Sequence, residues 1–268
     1  MNILKSLEDI EKLRISSKIV AEALTLLKEN TKPGITTLRL NKLAEEFIND
    51  NAAVPSFKGY LGYPFTICAS INEEVVHGFP SKRVLKEGDV LSIDVGALKH
   101  GFHGDSAITI PVGEVCPEKA SLIRIGQECL YLGISFARDG NRLQQISAAI
   151  QNHAEKNNYN VIRQYVGHGI GLSLHEPPQI PNYIKEGADG GLMLKRGMVL
   201  AIEPMVTLGE ALTKVMPNNW TAVTEDQKLC VHWEHTVAIT KEGVEVLSLR
   251  ADEKETYKCL TKKLLKAV

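Results

Sequence analysis

Apolar residues recur along the chain with two different periods. Spacings of three and four residues are typical of amphipathic helices, whereas alternation or a short apolar run is typical of strands. The helical spacing predicts helices over about residues 6–30, from Thr36 or Thr37 onward, from Pro117 to about Asp139 and around residues 143–153. Ser6 followed by Asp9 suits a capping box, so the first helix should begin at Ser6.

Strand-like segments lie between and after these helices. They are predicted through residues 67–70, on both sides of Lys99-His100-Gly101, over residues 160–165, and over residues 198–205 and 229–240. Most of these segments are short and end at Gly, Pro or Asp, as expected for strands that form sheets through tight turns.

The chain also repeats itself. Leu85-Lys-Glu-Gly88-Asp-Val90-Leu91-Ser-Ile93-Asp94 matches Leu194-Lys-Arg-Gly197-Met-Val199-Leu200-Ala-Ile202-Glu203, apolar for apolar and acid for acid. Each copy follows a pair of predicted amphipathic helices that are separated near a glycine. We therefore expect an α+β fold with approximate two-fold symmetry. It should form a single domain over residues 1–268, with halves at approximately 1–115 and 116–250 and a C-terminal tail.

One predicted hairpin carries two carboxylates in apolar strands. A turn centred between Lys99 and His100 would place Asp94 directly opposite Asp105, with about 5 Å between their Cβ atoms. Two like charges at that distance are costly to bury unless a cation lies between them. The hairpin alone leaves two interpretations open, a metal site or a pair of solvated aspartates at the ends of strands.

Composition excludes several classes of function. The 268 residues contain 31 Lys and Arg against 32 Asp and Glu, so bulk charge gives no support for binding nucleic acid in general. No apolar run reaches membrane-spanning length, and the N-terminal residues lack the apolar region of a signal peptide, so we expect a cytoplasmic protein. The five cysteines contain no Cys-x-x-Cys pair and are expected to be reduced thiols.

The second half of the chain adds three residues that can bind metals. They are Glu203, Glu234 and His168, although a lone strand glutamate is usually surface-exposed and a lone histidine beside glycines is usually a turn residue. Glu203 is harder to explain in this way, because its strand is nearly all apolar. With Asp94 and Asp105 they form an oxygen-rich set that suits one or two divalent ions such as Mn²⁺, Fe²⁺, Co²⁺ or Zn²⁺. Such centres acidify water and polarise carbonyl groups, so amide hydrolysis is the natural reaction.

The motifs around these residues resemble those of the methionine aminopeptidases. They are His77-Gly-Phe-Pro80, Gly167-His168-Gly-Ile-Gly171, His175-Glu176-Pro177, Ile202-Glu203-Pro-Met205 and Trp233-Glu234-His-Thr236, together with Asp94 and Asp105. The resemblance implies the duplicated pita-bread fold, with a central antiparallel sheet covered by helices. It implies that Asp94, Asp105, His168, Glu203 and Glu234 ligate two divalent ions, with Asp105 and Glu234 bridging and Glu203 also acting as the general base.

The same resemblance assigns the substrate-binding residues. His175 would donate to the substrate's peptide group and to the developing oxyanion, while His77 would position the substrate and share protons. The methionine pocket would be formed by Tyr60, Tyr63, Cys68, Leu174 and Trp220. The other histidines are expected to be turn, surface or structural residues, namely His100, His103, His153, His232 and His235.

The short separation of His168 from Glu203 matches the bacterial-type, type I form of this family. The resemblance implies a monomeric enzyme that removes the initiator methionine from nascent polypeptides when the second residue is small, with the ribosome as a further candidate partner. Because Asn2 follows Met1, we expect this protein to retain its own Met1, which intact-mass measurement can check. Two alternatives are a proline-directed peptidase of the prolidase or aminopeptidase P type and a non-catalytic pita-bread binding protein.

Overall fold

The computed structural model describes residues 4–185, 187 and 190–266, and five α-helices lie within these residues. The helices are α1 Leu7–Asn30, α2 Thr37–Asp50, α3 Pro117–Ser135, α4 Leu143–Lys156 and α5 Lys254–Leu265. Among the described residues, no helix combines the length and the apolar character needed to cross a membrane.

The strands in the first part of the chain are β1 Val54–Pro55, β2 Ile67–Ile71, β3 Glu74–Val76, β4 Val90–Lys99, β5 Phe102–Pro111, β6 Asn160–Val161, β7 Gly167–Gly169 and β8 Glu176–Ile180. They are followed by β9 Val199–Ile202, β10 Met205–Thr207, β11 Thr213–Val215, β12 Ala222–Thr224, β13 Cys230–His232, β14 His235–Thr240 and β15 Gly243–Val246. Every strand pair described is antiparallel.

The strands form four hydrogen-bonded sheets in the described part of the chain. In the first sheet, β4 pairs with β1, β2 and β5. The other three sheets have the orders β13-β10-β6, β11-β12-β3 and β15-β14-β9-β7-β8. A large apolar core joins residues from both halves, including Leu24, Leu91, Ile125, Leu200 and Ile239, all 0 or 1% exposed. The two halves thus share one apolar core.

The predicted helices are confirmed, and their first residues are the predicted ones. The Ser6 hydroxyl accepts from the Asp9 N–H at 3.1 Å, and the Ser6 N–H donates to the Asp9 carboxylate at 3.0 Å, which completes the capping box. Thr36 caps α2 by accepting from the Arg39 N–H at 3.2 Å. The helix α3 ends at Ser135, one turn before the predicted end, because residues 138–140 already form a turn.

The segments related by the sequence repeat are held by matching hydrogen bonds. Gly34 donates to the Leu85 carbonyl at 2.9 Å, and Gly140 donates to the Leu194 carbonyl at 3.0 Å. Each leucine N–H donates back to the residue after the glycine, at 2.8 Å in both copies. The helices that follow, α2 and α4, each have 14 residues. These matches agree with duplication, while the boundary near residue 115 stays a prediction.

The register of the hairpin formed by β4 and β5 differs from the predicted one. Lys99 pairs with Phe102, so the turn residues are His100 and Gly101, with φ of 52° and 81°. Positive φ at both positions gives the tight two-residue turn that matches strand twist. Asp94 therefore pairs with Ala107, and the predicted direct pairing of Asp94 with Asp105 is wrong. A shift of two residues preserves the face, so both carboxylates still point to the same side.

Two predicted continuous strands are interrupted, each at a glutamate. The segment 198–205 divides into β9 and β10 at Glu203-Pro204, and the segment 229–240 divides into β13 and β14 at Trp233-Glu234. The strands β9 and β14 belong to the five-stranded sheet, while β10 and β13 belong to a three-stranded one. Both glutamates thus lie where the chain passes from one sheet to the next. The predicted strand over 160–165 is limited to Asn160–Val161.

The C-terminal tail ends in a helix that the sequence analysis did not predict. The helix α5 packs on α3, with the rings of Tyr131 and Tyr257 edge to face at 5.0 Å. The preceding short turn, Ala251–Glu253, carries a buried glutamate, Glu253, whose side chain reaches Tyr131 and His235.

Candidate active site

Strand pairing brings three chemically important side chains into one row. Cys68 pairs with Asp94, Asp94 pairs with Ala107, and Ala107 exchanges two backbone hydrogen bonds with Glu234, at 3.0 and 3.4 Å. Directly paired residues share a face, so these four side chains lie side by side, and Asp105 lies two positions from Ala107 on the same face. The small Ala107 side chain leaves space between the carboxylates of Asp94 and Glu234.

The second half of the chain completes this cluster. The Nε2 atom of His168, in β7, lies 3.5 Å from Glu203 Oε1 and 4.0 Å from Asp105 Oδ2. Potential ligand atoms of Asp105, His168 and Glu234 all lie within 4.8 Å of one another. Glu203 is held at its strand break by Asn182, whose amide donates to the Glu203 carbonyl at 3.0 Å.

Burial and mutual repulsion make these carboxylates costly to ionise. Burial raises the pKa of Asp94 to about 6 and raises the pKa values of Asp105, Glu203 and Glu234 well above their ordinary range. The other carboxylates of the cluster add to the shift of Asp105 and Glu234, because like charges oppose ionisation. Asp94 Oδ1 and Asp105 Oδ1 are buried without a hydrogen-bond partner among the described residues.

The donor set fits a divalent cation. His168 shares its Nδ1 proton with the Gly169 carbonyl at 2.9 Å, so its Nε2 atom presents a lone pair toward the carboxylates. Burial lowers the pKa of His168 to about 3, which keeps the imidazole neutral and able to ligate a metal. Neutral imidazole combined with carboxylate oxygens suits Mn²⁺, Fe²⁺, Co²⁺ and Zn²⁺.

The cluster forms one end of a cavity of about 180 Å³. The structure brings every predicted site residue to this cavity: Tyr60, Tyr63, Cys68, His77, Asp94, Asp105, His168, Leu174, His175, Glu203, Trp220 and Glu234. Phe57, Leu61, Val76 and His232 also line it. The individual roles assigned to these residues from the sequence stay predictions.

Aromatic rings form the apolar part of the lining. The Tyr63 ring meets the Trp220 ring edge to face at 5.0 Å and the Phe79 ring at 5.4 Å. The Tyr63 hydroxyl is 3.0 Å from the Ile67 carbonyl and 3.1 Å from that of Gly78, and both carbonyls can accept its proton. The Tyr63 ring is thereby fixed, and the cavity joins an acidic end to an aromatic one.

Two further histidines lie between these ends. His175 shares a proton with the Tyr60 hydroxyl at 2.8 Å, and its ring centre lies 4.3 Å from that of His168. Burial, reinforced by His232 and His175, lowers the pKa of His77 to about 4, and burial also lowers the pKa of His175. His77 has φ of 59°, an uncommon conformation for a residue with a side chain. A neutral imidazole can donate one proton and accept another.

Comparison with known proteins identifies the family. The family model of metallopeptidase family M24 matches residues 11–241. The chain belongs to this family. It is 50% identical to a methionine aminopeptidase of Clostridium acetobutylicum, over 93% of this chain and 99% of that protein. It is 49% identical to methionine aminopeptidase 1 of Bacillus subtilis, over 92% and 99%.

Solved structures agree with this assignment to family M24. The methionine aminopeptidase of Thermotoga maritima superposes with a TM-score of 0.89 at 45% identity, over 91% of this chain and 98% of that one. Prolidase from Pyrococcus furiosus has a TM-score of 0.73 at 24% identity and shares the fold alone. The predicted resemblance to the methionine aminopeptidases and the α+β pita-bread fold class are confirmed, and the chain is a metallopeptidase.

A buried ion pair supports the histidine-bearing segment of this M24 metallopeptidase. Lys5 Nζ lies 2.6 Å from Glu176 Oε2, with the two side chains only 7% and 5% exposed. Glu176 follows His175 in the chain, its other oxygen accepts from the Ser173 N–H at 3.0 Å, and it pairs with Gly169 across β7 and β8. A residue before α1 therefore braces the hairpin that carries both His168 and His175.

His232 is the site residue that the sequence analysis missed. It was expected to be structural, but its side chain is 2% exposed and lines the cavity in this M24 metallopeptidase. The sequence does contain a signal for its position. His232 precedes Glu234 by two residues, and alternate residues of a strand share a face.

Proposed function

We propose that this chain is a methionyl aminopeptidase that hydrolytically removes N-terminal methionine from polypeptides whose second residue is small. The observation that carries the proposal is a single cavity with four carboxylates and His168 at one end and the rings of Tyr63 and Trp220 in its lining. The methionine aminopeptidases at 41–50% identity over most of the chain support the same activity.

The proposed metal ligands are Asp94, Asp105, His168, Glu203 and Glu234. They would hold two divalent ions, chosen from Co²⁺, Mn²⁺, Fe²⁺ and Zn²⁺. Four carboxylates supply enough negative charge for two such ions, whereas a single ion would leave buried charge uncompensated. When bound, divalent ions polarise the scissile carbonyl and acidify the attacking water.

The chain's own residues then move protons and orient the peptide. Glu203 is proposed to accept a proton from the attacking water and to deliver it to the leaving amine. His175, at the cavity mouth, donates to the carbonyl oxygen where negative charge develops, and its bond to Tyr60 fixes the ring. His77 positions the substrate and exchanges protons with it. Both histidines act as neutral imidazoles near pH 7, in line with their lowered pKa values.

The methionine side chain is proposed to bind among Tyr60, Tyr63, Cys68, Leu174 and Trp220. Aromatic faces and a thiol suit a flexible, polarisable thioether, and these residues line the cavity of about 180 Å³. The proposed partners are the N-terminal segments of nascent polypeptides, which the monomer would encounter in the cytoplasm at the ribosome. We also propose one catalytic domain whose halves are residues 1–115 and 116–250.

The test is hydrolysis of the peptide Met-Ala-Ser by the chelated protein after addition of Mn²⁺, Fe²⁺, Co²⁺ or Zn²⁺. We expect release of free methionine that depends on added metal and that Asp105→Ala abolishes. Cleavage of an X-Pro peptide without release of methionine would favour a proline-directed peptidase instead. Equally weak metal binding by wild type and Asp105→Ala would favour a non-catalytic binding protein.

A further inference from the structure

Glu203 lies between two imidazole rings, one at each carboxylate oxygen. His168 Nε2 is 3.5 Å from Glu203 Oε1, and His232 Nε2 is 3.5 Å from Glu203 Oε2. The two rings differ in whether they can donate a proton to Glu203. The Nδ1 atom of His168 uses its proton on the Gly169 carbonyl, so its Nε2 atom is an acceptor and cannot donate to Glu203.

The backbone of His232 is held by hydrogen bonds, and its side chain is buried. The His232 N–H donates to Thr109 Oγ1 at 3.0 Å, and the Thr109 hydroxyl donates to the His232 carbonyl at 2.8 Å. His232 also pairs with Met205 across β13 and β10. Its Nε2 atom is buried and has no hydrogen-bond partner among residues 4–185, 187 and 190–266. Buried polar atoms in native proteins find partners, and Glu203 Oε2 is near.

We propose that His232 is a positioning residue whose Nε2–H donates to Glu203 Oε2. A shift of about 0.5 Å brings the two atoms from 3.5 Å to hydrogen-bond distance. The bond fixes the rotation of a carboxylate that lies at a strand break, and it leaves Oε1 directed toward the cluster. Because Nε2 carries the donated proton in this arrangement, it has no lone pair for a metal, so His232 would support Glu203 and would not itself ligate.

The catalytic part of the inference rests on the proposed function. Its metal-binding part rests on Glu203 as a proposed ligand and does not require aminopeptidase activity. A partner that orients a metal ligand commonly changes metal affinity or activity by about tenfold to a hundredfold. A residue that orients the general base should lower kcat while leaving KM nearly unchanged, because substrate binding is not involved.

The experiment compares His232→Leu, which lacks a donor, with His232→Gln, whose amide can donate over a similar reach. His153→Gln is the matched control, because His153 pairs with Glu128 at 2.7 Å outside the cavity. The readouts are calorimetric Mn²⁺ affinity of the chelated proteins, kcat and KM for Met-Ala-Ser, and the visible spectrum of the Co²⁺-loaded proteins. Melting temperatures of the metal-free proteins check folding, and His232→Met replaces His232→Leu should the latter not fold.

We expect His232→Leu to weaken Mn²⁺ binding and to lower kcat, each by about tenfold or more, with KM changed less than about threefold. His232→Gln should recover most of both losses, and the Co²⁺ spectrum should keep its band positions because the ligands are unchanged. Unaltered Mn²⁺ affinity in His232→Leu would overturn the proposal, as would equal losses in His232→Gln. Shifted Co²⁺ bands would overturn it in favour of direct ligation. A wild type that binds Mn²⁺ as expected but releases no methionine would contradict only the proposed function.

Discussion

The two halves hold their candidate ligands by different means. Asp94 and Asp105 lie inside β4 and β5, two strands of 10 residues each that pair along their whole length. His168 lies in a strand of 3 residues, and Glu203 and Glu234 lie where strands are interrupted. A regular ladder fixes the first pair locally. The second set depends on side chains from distant parts of the chain.

Those distant side chains are buried and polar. Lys5 reaches Glu176 beside His175, and Ser106 donates to the Glu234 carbonyl at 2.6 Å. His235, next to Glu234, lies 3.1 Å from Glu253 in the C-terminal segment, and Arg250 also pairs with Glu253. The comparison shows that one candidate centre can combine ligands preorganised by local pairing with ligands preorganised by long-range polar contacts.

The largest effect is expected from removing the charge of one candidate ligand, either Asp105 in the first half or Glu234 in the second. Asp105→Asn and Glu234→Gln should each weaken metal binding and activity by more than about a hundredfold, since even partners of a ligand contribute tenfold to a hundredfold. Both should raise the melting temperature of the metal-free protein, because they remove repulsion among buried carboxylates. Calorimetric metal titration and thermal denaturation measure the two effects, with exposed Asp50→Asn as the control. Full activity in either variant would show that the halves do not share one centre.

Removing the Lys5 charge should disturb the second half alone. Lys5→Met leaves the Glu176 carboxylate buried and unpaired, which should cost about 3–5 kcal/mol of unfolding free energy. Arg14→Met is the control, because Arg14 pairs with Glu245 near the surface, where such pairs contribute about 1 kcal/mol or less. Urea denaturation measures both values. Equal losses would indicate that the buried pair has no special supporting role.

Crowding one position of the first hairpin should have an intermediate effect. Gly96 lies opposite Asp105, and a Cβ atom there would lie 2.7 Å from Phe57 Cε1 and 2.8 Å from Ser56 Cβ. Gly96→Ala should therefore cost about 1–3 kcal/mol and displace Phe57 from its place in the cavity lining. Urea denaturation and KM for Met-Ala-Ser measure the two consequences. A variant with wild-type stability would show that the hairpin yields more readily than its regular pairing indicates.

The smallest effect is expected in the pH dependence of stability, through Glu253 in the C-terminal segment. Burial alone would raise the pKa of Glu253, but His235 and Arg250 outweigh it and lower the pKa to about 2. A lowered folded-state pKa gives stability above the ordinary value of 4.5 that is lost as pH falls toward 2. The difference in unfolding free energy between wild type and Glu253→Gln should thus narrow from pH 5 to pH 3. A constant difference would mean that the Glu253 charge contributes nothing.

The sequence predicted the features that depend on nearby residues. Helix starts at Ser6 and Thr36 follow from hydroxyl caps and apolar spacing, and both are present. The alternation around Lys99-His100-Gly101 predicted the hairpin and placed Asp94 and Asp105 on one face. The predicted register was wrong because it depends on the turn centre, and His100 adopts a positive φ that is uncommon for residues other than glycine.

The features that were missed depend on tertiary contacts. An apolar run does not show where a strand leaves one sheet for another, so the breaks at Glu203 and Glu234 were not predicted. The helix α5 has its apolar face satisfied by α3, which local spacing in a highly charged segment does not reveal. His232 joins the cavity because β13 ends beside Glu203, and that approach arises from the meeting of β10 and β13.

The pairing of Lys5 with Glu176 has a consequence for biosynthesis. The two residues are 171 positions apart, and chains are synthesised at about 5–20 residues per second, so the lysine emerges roughly ten to thirty seconds before its partner. During that interval the N-terminal segment must remain solvated or bound by other factors. The hairpin with His168 and His175 can be braced only after most of the chain has left the ribosome, so candidate ligand assembly is a late event in synthesis.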